Sequence, residues 1–176
     1  MKIIKWILRL AVLFVVGGFL MPGTTHVERA IDINAPATTV FKQIIDLKNW
    51  SNWSAWHKLD PNTIYKFSEP STVGTGAYYT WSSENRTVGK GKLTILDAKT
   101  NENVHCKMEF GNTEAISNFN LIAKDSTQTK VIWTLDSDNG LNPISRWMGL
   151  MMDKFVGPDY EKGLANMKAY CETNNK

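Results

Sequence analysis

The last apolar segment, Asn142 to Cys171, constrains this chain most. Pro143, Ile144, Trp147, Met148, Met151, Met152, Phe155 and Val156 follow one another at helical spacing, and Tyr160, Leu164 and Met167 continue the run. Trp147, Met151 and Phe155 stand four residues apart with Met148 and Met152 beside them, while Arg146, Asp153 and Lys154 fall elsewhere around the helix. A helix with so wide an apolar stripe needs an apolar surface to cover. Gly157-Pro158 predicts a break or kink in it, with Pro158 opening a fresh first turn.

The preceding residues supply that surface as strands. Val27, Arg29, Ile31 and Ile33 alternate with Glu28, Ala30, Asp32 and Asn34, which predicts a first strand with one apolar face. Ala35-Pro36 ends it, and a helix carrying Val40, Phe41, Ile44 and Ile45 follows. Trp50, Trp53 and Trp56 then recur at three-residue spacing, which places three indoles on one side of a tight helical turn. Six further strands are expected at about 63–68, 75–82, 87–98, 102–110, 115–123 and 129–136, separated by turn signals such as Glu69-Pro70-Ser71 and Gly111-Asn112. Val104, Cys106, Met108 and Phe110 share one strand face, and Val131, Trp133 and Leu135 another. Gly74, Gly76, Gly89 and Gly91 mark expected bulges or sharp curvature.

The N-terminus differs in kind. Lys2, Lys5 and Arg9 introduce an apolar run from Leu10 to Met21. Twelve helical residues span about 18 Å, short of a roughly 30 Å hydrocarbon core. Counted from Ile3 the run is long enough, provided Lys5 and Arg9 snorkel. A secretory signal has the same layout, but Leu20-Met21-Pro22 is a poor cleavage site, so an uncleaved single-pass anchor is preferred. Basic residues stay in the cytoplasm, which puts the folded domain on the extracytoplasmic side. Those three residues also account for the whole net charge of +3; without them 17 basic residues meet 17 acidic ones. A basic footprint for nucleic acid is therefore absent.

Taken together, Val27-Glu28-Arg29, Ile33-Asn34-Ala35-Pro36, Asp46-Leu47-Lys48-Asn49-Trp50, Trp53-Ser54-Ala55-Trp56, Val73-Gly74-Thr75-Gly76-Ala77, Val88-Gly89-Lys90-Gly91 and Gly157-Pro158-Asp159-Tyr160 resemble the START-like (SRPBCC) superfamily. Within it, the resemblance is to bacterial polyketide cyclase/dehydrase-type proteins with an N-terminal membrane segment. It implies an α+β helix-grip fold: a curved seven-stranded antiparallel sheet wrapped around a long C-terminal helix, with a cavity between them, preceded by one N-terminal transmembrane helix. The expected division is 1–22 as anchor or signal and 25–174 as a START-like domain. Members of the superfamily bind lipids and hydrophobic metabolites, and some are cyclases, so the resemblance does not choose an activity.

The residues leave the same choice open. A ligand pocket is expected at Trp56, Tyr79, Trp81, Met108, Phe110, Trp133, Trp147, Met151 and Phe155; a filled core is the alternative, since methionines and aromatics suit both. His57, Asp60, Glu84, Arg86, Glu109, Glu114 and Asp136 could move protons by chemistry alone, but they form no motif, and no catalytic residue is assigned. His26, His57 and His105 lie far apart, and no metal or cofactor is expected. Cys106 and Cys171 lack metal-like spacing, and a bridge between them is not expected in a domain of this size. The first expectation is thus a membrane-tethered, monomeric module that binds a hydrophobic small molecule or lipid. A cyclase/dehydratase-like enzyme and a packed interaction domain without a ligand are the alternatives.

Overall fold

The computed structural model describes residues 2–111 and 113–174. Helix α1 (Lys2–Leu20) precedes strand β1 (Thr24–Ile33), helix α2 (Ala37–Ile45), a 3-10 turn (Leu47–Asn49), the short helix α3 (Trp50–Trp53) and a second 3-10 turn (Trp56–Lys58). Strands β2 (Ile64–Phe67), β3 (Tyr78–Ser82), β4 (Lys90–Lys99), β5 (Asn103–Phe110), β6 (Thr113–Ala123) and β7 (Thr129–Asp138) lead to helix α4 (Pro143–Thr173). All seven strands form one antiparallel sheet in the order β1-β7-β6-β5-β4-β3-β2. The fold is the expected helix grip, and the strands fall within a few residues of their expected places.

Local chemistry explains the boundaries. Asn142 caps α4, its Oδ1 accepting from the backbone N–H of Ile144 at 2.9 Å, with Pro143 in the first turn where no donor is missed. Strand β4 starts at Lys90 because Asn85 to Gly89 form a turn: Val88 and Gly89 both donate to the Asn85 carbonyl, and Gly89 takes a left-handed φ of 61°. A register shift in the ladders lies between Ile95 and Asp97 of β4, away from the expected glycines.

Two expectations for α4 are corrected. It runs without interruption through Pro158 to Thr173. Gly157 serves a different purpose from helix breaking, because a Cβ there would lie 2.1 Å from an Arg29 guanidinium nitrogen. Arg29 of β1 occupies that space and donates to Asp153 (2.7 and 3.2 Å) and to Glu161 (2.6 Å), strapping the helix across the sheet edge. Nor does the stripe of Trp147, Met151 and Phe155 cover the sheet. The buried residues of α4 are Gly157, Tyr160, Gly163, Leu164, Met167 and Cys171, a second stripe in the helix's other half.

That second half closes the core. Tyr160 stacks on Trp133 with ring centroids 3.6 Å apart, and Trp133 stacks in turn on Phe119 at 4.8 Å. Gly163 permits the approach, since a Cβ would come within 3.1 Å of the Trp133 ring. Trp50 and Trp53 complete the cluster edge-on, and both are fully buried. Each indole N–H finds an acceptor: Trp50 the Ile44 carbonyl, Trp53 the Gln43 carbonyl and Trp133 the Ser117 hydroxyl. Cys106 and Cys171 are buried and unpaired, and burial pushes their thiols up to about 12 and about 11.

Candidate functional site

The space between sheet and helix is therefore filled beside β1, β7 and β6. Toward the other edge it is not. A cavity of about 280 Å³ opens there, near the lower end of the roughly 300–1,000 Å³ that small-molecule sites occupy. Tyr79 and Trp81 of β3 with Met108 and Phe110 of β5 form its floor, and Trp56 and His57 its roof. Tyr65 of β2 closes one side, and Arg86 to Lys90, the turn between β3 and β4, form the lip.

The floor follows from cross-strand pairing. Trp81 sits opposite Gly91, whose missing side chain leaves room for the indole: a Cβ there would lie 2.3 Å from the Trp81 ring and 2.6 Å from the Glu109 carbonyl. The Trp81 N–H donates to the Val88 carbonyl at 3.1 Å, which ties the lip to the floor. Tyr65 pairs with Trp81, and Phe67 with Tyr79, so alternate residues of β2 look inward.

His57 is the unusual group. Its imidazole lies stacked on Tyr65 at 4.3 Å and edge-on to Tyr79 at 5.8 Å. Both ring nitrogens are buried, and neither has a hydrogen-bond partner among the described residues. Burial lowers its pKa to about 4, so the ring is neutral at pH 7, with one donor and one acceptor unused. Burial also raises the Tyr65 and Tyr79 phenols, and both stay protonated. Among the described lining residues, positive charge stands at the lip, on exposed Arg86 and Lys90.

The structure brings together Trp56, Tyr79, Trp81, Met108 and Phe110 of the nine expected pocket residues, and places the other four elsewhere. Trp133 is sealed in the aromatic core by Tyr160. Trp147 lies against α1, stacked on Phe14 at 5.3 Å, while Met151 and Phe155 are exposed. The cavity accordingly lies to one side of α4, and no residue of that helix lines it. Sequence reasoning undervalued His57, Tyr65 and Arg86. The alternation in Ile64-Tyr65-Lys66-Phe67 is the signal for Tyr65, and the tryptophans before His57 are the signal for a buried imidazole.

The remaining polar candidates do not converge on this space. Asp60 accepts from the Ser83 hydroxyl and from the Asn62 backbone N–H, bonds that hold its carboxyl below the usual range and shape a turn. Glu109 and Glu114 pair with Lys107, and Asp136 with His26. Among the described residues no group of three or more His, Cys, Asp or Glu side chains is placed to hold a metal ion.

A family model described as polyketide cyclase / dehydrase and lipid transport matches residues 24–172. Among solved structures, the chain is similar to the Zhui aromatase/cyclase from Streptomyces sp. R1128, with TM-score 0.62 and 15% identity over 87% of this chain and 96% of that one. A protein from Thermobifida fusca aligns with TM-score 0.64 and 14% identity, covering 84% and 93% of the two chains. A START superfamily protein from Mycobacterium smegmatis aligns with TM-score 0.56 and 13% identity, covering 85% and 98%. At these identities the likeness is one of fold. No curated protein matches by sequence.

Proposed function

The chain belongs to the polyketide cyclase / dehydrase and lipid transport family, and we infer that it binds an apolar or amphipathic small molecule in the cavity beneath Trp56 and His57. The observation that carries this reading is the unpaired imidazole. A buried polar group without a partner costs roughly 1–3 kcal/mol, and His57 leaves two nitrogens so placed in a site otherwise walled by aromatic rings. A ligand that brings a hydroxyl or carbonyl to His57, while its apolar body displaces water from Tyr79, Trp81, Met108 and Phe110, would offset that cost. Arg86 and Lys90 would favour an acidic or polar end left at the lip.

The same reading has α1 as a membrane tether for a monomeric domain over residues 25–174, on the extracytoplasmic side. It rests on a 19-residue helix, long and apolar enough to cross a membrane, and on the basic residues that precede its core. An enzyme of the cyclase kind is the second reading, favoured by one observation: two titratable rings, His57 and Tyr65, meet inside the cavity. A neutral imidazole beside a protonated phenol could pass a proton to and from a bound carbonyl compound.

Native mass spectrometry of the full chain in detergent, with extraction of bound lipids, tests the binding reading. A bound apolar molecule should be found and should be lost in Phe110→Glu, a change at the exposed end of the cavity floor that should leave the fold intact. No bound molecule, and no uptake from a panel of fatty acids and aromatic polyketides, would sink it. His57→Gln then separates the two readings: it keeps the ligand if His57 only orients it, and leaves substrate unconverted if His57 moves protons.

A further inference from the structure

The two halves of α4 carry apolar stripes on opposite sides. Gly157, Tyr160, Leu164, Met167 and Cys171 are buried at spacings of three and four. Ile144, Met148, Met151 and Phe155 show the same spacing, but at 3.6 residues per turn they point roughly half a turn away. They are 46–61% exposed. On the sheet side of this first half, Met152 and Val156 are half-buried against the core, and the rest is small or polar: Asp153 meets Arg29, and Gly149 abuts Asn139 and Thr25. No charged residue interrupts the run from Trp147 to Met152.

This outward stripe is not isolated. Trp147, beside it, stacks on Phe14 of α1 and donates its indole N–H to the Phe14 carbonyl at 2.9 Å. Pro143 packs so closely on Gly18 that a Cβ there would lie 2.5 Å away. Arg146 donates to the carbonyls of Phe19 (2.9 Å) and Met21 (3.3 Å), where a cation complements the end of a helix. The start of α4 is thus fastened along the last two turns of α1. Phe14 lies six residues from the end of α1, about 9 Å along the axis. Helices lying in a membrane interface bury their apolar face to about 5–10 Å.

We propose that the first half of α4 seats in the lipid bilayer beside α1, with Ile144, Met148, Met151 and Phe155 among the acyl chains and Arg146 at headgroup level. The domain is then held against the lipid surface by two elements instead of swinging on one tether. This rests on the reading of α1 as a retained membrane span.

The test uses the full chain in phosphatidylcholine vesicles, with an environment-sensitive thiol dye at one introduced cysteine and doxyl-labelled lipid as quencher. Leu10→Cys reports on α1, Met148→Cys on the stripe and Glu102→Cys on a turn far from both. Unsubstituted chain shows that the two buried native thiols stay unlabelled. The Met148→Cys label should lose most of its fluorescence, as the Leu10→Cys label does, while the Glu102→Cys label keeps its own. Phe155→Cys repeats the reading two turns further on, so a single disturbed variant cannot decide it. Quenching at Leu10→Cys alone overturns the proposal and leaves the tether standing; quenching at neither overturns both. A label at Met148→Cys shielded with rising protein concentration, but not quenched by lipid, assigns the face to a second copy and also overturns the proposal.

Discussion

On the β7 side of the sheet, Trp133 and Tyr160 lie ring on ring at 3.6 Å, and every indole N–H there has an acceptor. On the β3 side, Tyr79 and Trp81 face a cavity, and the imidazole above them has no hydrogen-bond partner for either nitrogen among the described residues. Both regions draw on the same kinds of aromatic residue and the same inner face. The difference is what α4 reaches. Its buried half ends the search for packing over β1 and β7, and it leaves the β2 to β5 end to a 3-10 turn too short to fill it. Trp56 stands between the two, edge-on to Trp133 and Tyr160 on one side and lining the cavity on the other. A fold can therefore be held by one half of its core while the other half stays open.

The largest expected effect lies in the filled half. Trp133→Ala should cost about 3–5 kcal/mol in urea denaturation, as for large aromatic residues lost from a packed core. Trp56→Ala, at the boundary, should cost clearly less; equal losses would mean the two regions are packed alike.

Next comes acid. The folded pKa of His57 lies below its unfolded value of 6.5, at about 4, so protons favour the unfolded chain. The stability linked to this group is fully present above pH 6.5 and is lost as pH falls toward 4, by an amount of the order of 3 kcal/mol. His57→Leu should flatten that window relative to the parent and raise stability at pH 7.5, because it removes two buried nitrogens that have no hydrogen-bond partner among the described residues. An unchanged acid profile would show that the imidazole is solvated and the hollow half is wet.

Gly157→Ala sharpens the comparison from the α4 side. Alanine favours the helix by about 1 kcal/mol, but its methyl displaces Arg29 from Asp153 and Glu161, two solvent-exposed carboxylates whose ion pairs contribute up to about 1 kcal/mol each. A net loss of up to about 1 kcal/mol is expected, read by thermal unfolding; a gain would show that the strap contributes nothing. The smallest stability effect belongs to Phe110→Glu, within about 0.5 kcal/mol of the parent for a residue 41% exposed. Its consequence should fall on the ligand.

Much of the fold was legible because strands announce themselves by alternation. Val104, Cys106 and Met108 are buried on the face where the pattern put them, and Trp50 and Trp53 pin a short helix as their spacing suggests. The site was legible in part. Trp56, Tyr79, Trp81, Met108 and Phe110 gather as expected, but periodicity could not tell which of two stripes on α4 would meet the sheet. Both have spacings of three and four. Arg29, Gly149 and Gly157, which decide the matter, look like a surface charge and two flexible points until the strands are in place.

Helix, strand and turn types came from the sequence alone, since backbone preference and apolar period act within a few residues of each position. So did the single apolar N-terminal helix and the near-neutral balance of the rest. The tertiary structure alone decided that Trp133 is core and Trp81 is wall, and that His57 has no hydrogen-bond partner among the described residues. Those outcomes depend on which side chains arrive from distant segments to fill or leave a given space, and that is settled only when close packing is imposed on the whole sheet at once.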